Sequence, residues 1–265
     1  MTQIGIGISI ANQQPSGVSY DPDASLFIAA NLAAGGTLTP ANKLAISNLF
    51  KNFKGVGAAN STSNIYSRIY PYLFAGGTAN SAKIQARTLE TGVFGGSSTF
   101  TGNAFNTSAN SYFGLVEFYD VLSATNFGVL INGKQSWGSG GAYYRDLVAA
   151  SSSQGLIQTY GIFIRPHFSA YGDHISTSVS SGIFAANVTP THNTNFNQDG
   201  SVDIINNPPY IPVTLPHDKV YLGTTWDNIT IVQNWQSLIL TTGLSDAEMG
   251  LLWASVQQYN IEIAL

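Results

Sequence analysis

The feature that most limits the fold of this chain is a succession of short strand patterns between residues 84 and 243. Runs rich in Val, Ile, Phe, Tyr and Thr alternate with turn clusters of Gly, Asn, Asp and Ser. No amphipathic helical pattern separates the runs, and parallel strands require such crossovers, so the strands are expected to pair antiparallel. The sequence therefore predicts a mainly β protein built as an antiparallel β-sandwich. The predicted strands cover residues 111–122, 127–131, 134–137, 142–149, 157–165, 175–179, 183–188, 202–205, 219–222 and 229–240.

Two dipeptides predict tight turns within this succession. Asn132-Gly133 favours a type I′ hairpin turn, because both positions accept positive φ, and would join the strands at 127–131 and 134–137. Asp199-Gly200 is typical of an ordinary hairpin turn before the strand at 202–205.

The second of these turns also carries the oxygen spacing of a calcium loop. Polar residues fall at the odd positions of such a loop around a tight Gly turn. Its first position is Asn, however, and Asn206 stands where a bidentate Glu belongs. The hairpin interpretation is therefore preferred, and no metal site is assigned. The candidate calcium ligands are Asn195, Asn197, Asp199 and Asp203.

Residues 21–83 contain two helical patterns ahead of the strands. Asp23 is expected to cap a helix that begins at Ala24 and ends at a Gly-Gly pair. Thr39 is expected to cap a second helix with Pro40 at its first position, where the missing N–H costs nothing. The apolar stripe of this second helix consists of Ile46, Leu49, Phe50 and Phe53.

Further helical signals lie later in the chain. A short third piece is predicted over residues 63–70, ahead of a proline. Near the C-terminus, Ser245 and Glu248 have the spacing of a capping box, which predicts a helix near residues 246–259. Residues 261–265 are apolar enough to return as a last strand.

The order of the signals in residues 21–83 resembles a segment that recurs in structural proteins of tailed bacteriophages. In those proteins an acidic-Ala-Phe-Ile helix and an Ala-Ile-x-x-Leu helix precede an Ile-Tyr-Pro turn, a Gly-Gly-Thr-Ala turn and a Ser-x-Lys. Residues 57–62 look like an insertion into this pattern. The matching residues are Asp23, Ala24, Phe27, Ile28, Ala45, Ile46, Leu49, Phe53, Lys54, Ile69, Tyr70, Pro71, Gly76, Gly77, Thr78, Ala79, Ser81, Ala82 and Lys83.

The resemblance implies that the sandwich is a concanavalin-like jelly roll, with short helices before it and one helix near the C-terminus. It divides the chain into an N-terminal arm (1–20), a helical segment (21–83) and the sandwich (84–265). It also implies a non-enzymatic structural protein of a bacteriophage virion, namely a fibre, decoration or tail component, assembled in the bacterial host cytoplasm. The expected partners are further copies of the chain, with a trimer favoured, and other virion proteins.

The predicted arm carries an alternating apolar pattern. Its Ile residues face one side of a strand, and small or polar residues face the other. An isolated strand is unstable, so this one must add to a sheet. Two interpretations remain open: a terminal strand of the same domain, or an assembly arm donated to another subunit. The residues concerned are Ile4, Ile6, Ile8 and Ile10.

Composition argues against several classes of partner. Charged residues make up only 9% of the chain, against roughly 25% in soluble domains, so the surface is weakly protected from self-association. A net charge of -4 with ten dispersed Lys and Arg residues gives no basic footprint for nucleic acid. The chain has no Cys, which excludes disulfides and thiolate sites. Neither a signal peptide nor an apolar stretch for membrane insertion is recognisable.

The ionisable residues form no recognisable catalytic motif. A sandwich glycosidase needs two carboxylates that flank the sugar, but Asp120 follows Glu117 by three residues and so falls on the opposite strand face. The histidines lack the spacing of metal ligands; they are His167, His174, His192 and His217. The chain is therefore expected to be non-enzymatic, with no catalytic residue and no cofactor.

Aromatic residues near turns support an alternative function, a lectin-like adhesin that recognises a bacterial surface glycan. Aromatic rings stack on sugars while Asn and Asp side chains bind hydroxyl groups. Core packing explains the same residues equally well. The candidate glycan contacts are Trp137, Tyr143, Tyr144 and Trp226.

Overall fold

The computed structural model describes residues 19–56, 64–107, 112–115, 126–136, 144–151, 154–160, 163–166, 181–197, 199–205, 220–222 and 232–264. The helices are α1 (Pro22–Ala33), α2 (Pro40–Phe53), α3 (Ala79–Ala82) and α4 (Asp246–Ile263), and a 3-10 turn covers Tyr66–Arg68. The strands are β1 (Ile69–Tyr72), β2 (Val93–Gly95), β3 (Thr99–Thr101), β4 (Ala104–Thr107), β5 (Tyr112–Leu115), β6 (Phe127–Ser136), β7 (Tyr144–Ser151), β8 (Gln154–Tyr160), β9 (Phe163–Pro166), β10 (Ser181–Val188), β11 (Asn193–Phe196), β12 (Val202–Ile205), β13 (Val220–Leu222) and β14 (Val232–Thr242). None of these helices combines the length and the apolar composition needed to cross a membrane.

The described strands form two antiparallel sheets. The larger sheet has the order β12-β11-β10-β6-β14-β4-β3, and β1 pairs with the second half of β14. The smaller sheet has the order β2-β5-β13-β7-β8-β9. The predicted fold class is thereby confirmed: a mainly β, antiparallel β-sandwich with short helices before it and one helix near the C-terminus.

The two sheets pack against each other through aromatic side chains. Phe74, just after β1, meets Phe113 of β5 edge to face with ring centroids 5.1 Å apart. Phe94 of β2 lies 5.0 Å from Phe105 of β4. Because side chains alternate along a strand, β14 adds Leu238 to this core from the larger sheet.

The opposite face of the larger sheet is buried beneath the helices. Ile239, which follows Leu238 in β14, packs with Leu130 of β6 and Ile183 of β10 into a second core. The helices complete this core with the predicted α2 stripe and with one face of α4, namely Ile46, Leu49, Phe50, Phe53, Met249, Leu252 and Val256. The described part of the molecule therefore has a helix layer, the larger sheet and the smaller sheet.

Helix α1 begins earlier than predicted. Asp21, not Asp23, is the N-cap, because its carboxylate accepts hydrogen bonds from the backbone N–H groups of Asp23 at 3.0 Å and Ala24 at 3.2 Å. Pro22 occupies the first helical position, where its fixed φ starts the helix. Asp23 instead lies in the first turn, with its carboxylate 2.7 Å from Lys54 Nζ.

The third helical piece predicted over residues 63–70 is present only as a single short turn. A 3-10 turn over Tyr66–Arg68 leads directly into β1. A proline without an N–H is tolerated in β1 because this strand forms a continuous ladder with β14 alone. On the other side, Tyr72 forms a single bridge with Gln85, and Ala86 N–H donates to the carbonyl oxygen of Pro71.

The hairpin turn predicted at Asn132-Gly133 is wrong. Both residues lie within the continuous strand β6, which pairs with β10 on one side and β14 on the other. Asn132 Nδ2 donates hydrogen bonds to Gln236 Oε1 at 2.8 Å and to Asn260 Oδ1 at 2.7 Å. A Cβ at Gly133 would lie 2.5 Å from the carbonyl oxygen of Asn234. Pairing on both edges therefore outweighs the local preference for a turn, and the glycine serves close strand approach.

The last strand predicted at residues 261–265 is replaced by the final turn of α4, which continues to Ile263. Tyr259 of α4 is buried in the core that this helix shares with α2. Glu262 accepts a hydrogen bond from Asn48 Nδ2 of α2 at 3.0 Å. These contacts along α2 stabilise the helical continuation.

Candidate functional site

A polar cluster lies where the hairpin formed by β10 and β11 meets the start of α4. Asp246 is its centre: Oδ2 lies 2.7 Å from both His192 Nε2 and Thr194 Oγ1. Asp246 Oδ1 accepts a hydrogen bond from Asn187 Nδ2 at 2.8 Å. We refer to Asn187, His192, Thr194 and Asp246 as the α4 polar cluster.

Local structure places each member of this cluster. Asn187 and Thr194 are cross-strand partners in the register of β10 and β11, so their side chains share one face of the larger sheet. Ser245 caps α4 in the predicted capping box with Glu248, which puts Asp246 in the first helical turn. A carboxylate at that position also complements the positive end of the helix dipole.

The hydrogen bonds control the charge of Asp246. Partial burial alone would raise its pKa, but the hydrogen bonds from Thr194, Asn187 and His192 outweigh burial and hold the pKa below its ordinary value of 3.8. The side chains of His192 and Asp246 are 26% and 28% exposed. The carboxylate is therefore ionised at neutral pH and can pair with a protonated imidazole.

A second charged pair stands beside the cluster. Arg68 Nη1 donates to the carbonyl oxygen of Gly243 at 2.7 Å and to Glu248 Oε2 at 3.1 Å, and Arg68 Nη2 contacts Glu248 Oε1. The hydrogen bond from Arg68 is the main reason that the pKa of Glu248 lies below its ordinary value. Arg68 therefore ties the turn before β1 to the start of α4.

The hydrogen bonds of the α4 polar cluster join the hairpin of β10 and β11 to the start of α4. His192 Nδ1 lies 2.9 Å from Thr191 Oγ1, so the imidazole bridges a hydroxyl and a carboxylate, as in enzymes that activate a nucleophile. Thr189 Oγ1 also lies 3.2 Å from His192 Nδ1, but it donates to the carbonyl oxygen of His192 at 2.8 Å, so its hydrogen is used in the turn. We assign no catalytic residue here. Sequence reasoning missed the pairing of His192 with Asp246, since 54 positions separate them, and the capping box was the only local signal.

The calcium candidates lie in and beside a hairpin turn. Asp199 Oδ1 accepts from the backbone N–H of Ser201 at 2.9 Å and from its hydroxyl at 2.7 Å. Asn197 Nδ2 donates to the same hydroxyl at 2.9 Å. Asn195 of β11 is buried with its side-chain amide unpartnered, and Asp203 faces it in the register of β12. The hairpin predicted at Asp199-Gly200 is thus present, and among the described residues no group of three or more acidic or His side chains is arranged to hold a metal ion.

The other predicted site residues lie largely beyond the described part of the chain. Tyr144 is the first residue of β7 and pairs with Tyr160 of β8 in the smaller sheet. Outside the described residues are Trp137, Tyr143 and Trp226, the arm residues Ile4, Ile6, Ile8 and Ile10, and the carboxylates Glu117 and Asp120. Their assigned roles stay predictions.

Comparison with solved structures adds information at the level of the fold. A mutant of Trypanosoma rangeli sialidase with trans-sialidase activity superposes with a TM-score of 0.56 and 12% identity, over 83% of this chain and 38% of the sialidase. The same sialidase in complex with the inhibitor DANA gives a TM-score of 0.54 and 11% identity, over 89% of this chain and 38% of the sialidase. Botulinum neurotoxin type C, whose passage into cells depends upon interaction with two ganglioside molecules, gives a TM-score of 0.55 and 9% identity. This match covers 73% of this chain and 52% of that chain.

The likeness is one of fold. This chain spans 38% to 52% of the length of these solved structures. No protein-family model matches the sequence, and no curated protein matches it.

Proposed function

We propose that this chain is a non-enzymatic carbohydrate-recognition module, with its sandwich as the recognition unit. The observation that supports this most directly is the similarity of the sandwich to an inhibitor-bound sialidase and to a toxin that interacts with gangliosides. Aromatic residues that the sequence places near turns supply the rings that would stack on a sugar. Tyr144, at the start of β7, belongs to the smaller sheet, whose outer face is the proposed side of recognition.

A glycan array probed with the full chain tests this function. We expect binding to at least one bacterial surface glycan, and a loss of about tenfold or more in Trp137→Ala and Tyr144→Ala, because a stacked ring is removed. Trp137→Phe is the matched control, since it keeps a ring and should retain most of the binding. An array without signal, or alanine variants that bind as the parent does, would contradict the proposal.

The non-enzymatic part of the proposal has its own readout. Incubation with a bound glycan should release no sugar, and Glu117→Gln should leave binding unchanged. Sugar release that disappears in Glu117→Gln would instead establish a hydrolase.

A second function, as a structural component of a bacteriophage virion, is supported by the residues 21–83 that resemble phage proteins. Their Gly-Gly-Thr-Ala turn packs around a buried side chain: Asn31 Nδ2 donates to the carbonyl oxygen of Ala75 at 3.0 Å, and a Cβ at Gly76 would lie 2.3 Å from Asn31 Oδ1. The motif therefore has a packing role that explains its spacing. We propose a homo-oligomeric fibre, decoration or tail protein that attaches through its N-terminal arm.

Locating the protein in intact phage particles tests this second function. We expect antibody labelling, or density that fits the sandwich, at the head or the tail of the particle. Particles that lack the protein would overturn the virion role and leave carbohydrate recognition standing.

A further inference from the structure

The larger sheet ends, among the described strands, at β12. In the hairpin that precedes this strand, Gly200 N–H donates to the carbonyl oxygen of Asn197 and Asn197 N–H donates to that of Ser201, both at 3.0 Å. Gly200 has φ +82, so the loop is a three-residue hairpin with a bulge. Hydrogen-bonded and non-hydrogen-bonded pairs alternate along antiparallel strands, which makes Asn195 and Asp203 the next hydrogen-bonded pair.

Val202 and Ile204 lie on either side of Asp203, so both occupy non-hydrogen-bonded positions of the ladder with β11. The backbone N–H and C=O groups of Val202 and Ile204 point away from β11, toward the side on which no described strand pairs with β12. Their side chains are 48% and 55% exposed and share the face of buried Phe196, beneath the helix layer. The opposite edge of the sheet, β3, instead exposes Thr99 and Thr101. Proteins normally protect an edge with polar or charged residues, and β12 has an exposed apolar pair at alternate positions.

We infer that the β12 edge of one copy accepts residues 4–10 of a neighbouring copy as an additional strand. In this arrangement the apolar face of the arm lies over Val202 and Ile204. That face consists of Ile4, Ile6, Ile8 and Ile10, and the small residues that alternate with these Ile residues face the other way. Residues 4–10 lie outside the described residues, so the sequence pattern supplies this half of the interface. The inference rests on the proposed homo-oligomer and names its acceptor surface.

The anchoring of the arm favours a neighbouring copy as the donor. Lys51 Nζ donates to the carbonyl oxygen of Ser19 at 3.4 Å, and Asp21 N–H donates to Ser47 Oγ at 2.8 Å, so the end of the arm is held on α2. Helix α4 contacts α2 on one side and β10 and β11 on the other. The arm of the same chain therefore starts beside α2, and it is α4 that contacts β10 and β11. We take the donor to be a neighbouring copy, whose arm does not start from this point.

Engineered disulfides test the pairing. Because the chain has no native Cys, every disulfide that forms joins two engineered cysteines. Chains carrying Ile6→Cys and chains carrying Ile204→Cys, with different tags, are co-expressed, purified and oxidised. We expect a disulfide-linked pair of unlike chains, with the linked peptides identified by mass spectrometry. Thr101→Cys on the β3 edge is the matched control and should give at least tenfold less linked product with Ile6→Cys.

Three other linkage patterns would overturn the inference. A double variant with both cysteines that links only within one chain would identify the arm of the same copy as the occupant. Linkage confined to two Ile204→Cys chains would identify direct pairing of two β12 edges. Equal linkage at the two edges of the sheet would mean that contact with the arm is non-specific.

Charge substitutions separate this inference from the proposed oligomer itself. In sedimentation velocity, Ile204→Lys should convert the oligomer to monomer, and Thr101→Lys should leave it intact, because both positions are exposed and tolerate Lys without unfolding. An oligomer that survives Ile204→Lys would overturn the β12 acceptor alone. A parent chain that is monomeric would overturn the oligomer and the acceptor together, and glycan binding would be unaffected by either outcome.

Discussion

Asn31 shows how one side chain can impose glycine on distant parts of a chain. It is fully buried, and its Nδ2 donates to the carbonyl oxygens of Ala75 at 3.0 Å and Ser81 at 3.4 Å. A Cβ at Gly36 would lie 2.2 Å from Asn31 Oδ1, and a Cβ at Gly76 would lie 2.3 Å from the same atom. The backbone at Gly36 and Gly76 can therefore pack against Asn31 only because neither residue has a Cβ.

Gly76→Ala should be considerably more destabilising than Gly35→Ala. Both glycines have positive φ, +94 and +85, so both substitutions carry the left-handed strain of about 1–2 kcal/mol. At Gly76 the new methyl also overlaps Asn31, which adds about 1–3 kcal/mol, whereas at Gly35 nothing lies within 4 Å. Urea denaturation of both variants measures the difference. Equal losses in the free energy of unfolding would mean that the crowding around Asn31 relaxes.

At the scale of elements, the α4 polar cluster joins a helix to a hairpin, and its contribution should depend on pH. Asp246→Asn should lower the free energy of unfolding by about 1–3 kcal/mol at pH 7, because an amide cannot accept all three hydrogen bonds of the carboxylate. Since folding holds the Asp246 pKa below 3.8, the carboxylate stabilises the fold above that pH and loses this contribution as the pH falls through the lowered pKa. The two proteins should therefore approach each other in stability as the pH falls below 3.8 and through the lowered pKa.

Denaturant unfolding at pH 7 and pH 3 provides the measurement. Glu90→Gln is the control, because Glu90 is exposed and its substitution should change stability by less than about 0.5 kcal/mol at either pH. A difference between the parent and Asp246→Asn that persists unchanged at pH 3 would exclude ionisation as its cause.

At the scale of the whole molecule, the larger sheet is shared by two cores, and this should make unfolding cooperative. Leu238 and Ile239 are neighbours in β14, both fully buried, one facing the smaller sheet and the other the helices. Each substitution to Ala should cost about 2–5 kcal/mol. Each should also move the helical signal and the aromatic signal of circular dichroism together along the denaturant axis. A helical signal that responds only to Ile239→Ala would mean that the helix layer unfolds separately.

The sequence predicted elements best where a local rule and the tertiary environment agree. The capping box of Ser245 and Glu248, and the Thr39-Pro40 start of α2, satisfy backbone groups within a few residues, and both are present. Asn132-Gly133 has an equally strong local preference, yet it lies inside β6 because strands on both sides satisfy its backbone.

The candidate site was the least predictable part of the described molecule. His192 and Asp246 become neighbours only because the turn after β10 folds over the start of α4, and neither residue belongs to a motif with the other. Similarly, the sequence of residues 202–205 does not predict that Val202 and Ile204 are exposed at an edge, since the same alternation is found in strands that are covered.

The sequence by itself determined the class of the fold, because alternation, turn residues and helix caps depend on the nearest few positions. The tertiary structure decided which strands lie side by side, which faces are covered by helices and which of the described strands ends each sheet. Those outcomes depend on contacts between residues far apart in the chain, whose free energies exceed the local preferences they override.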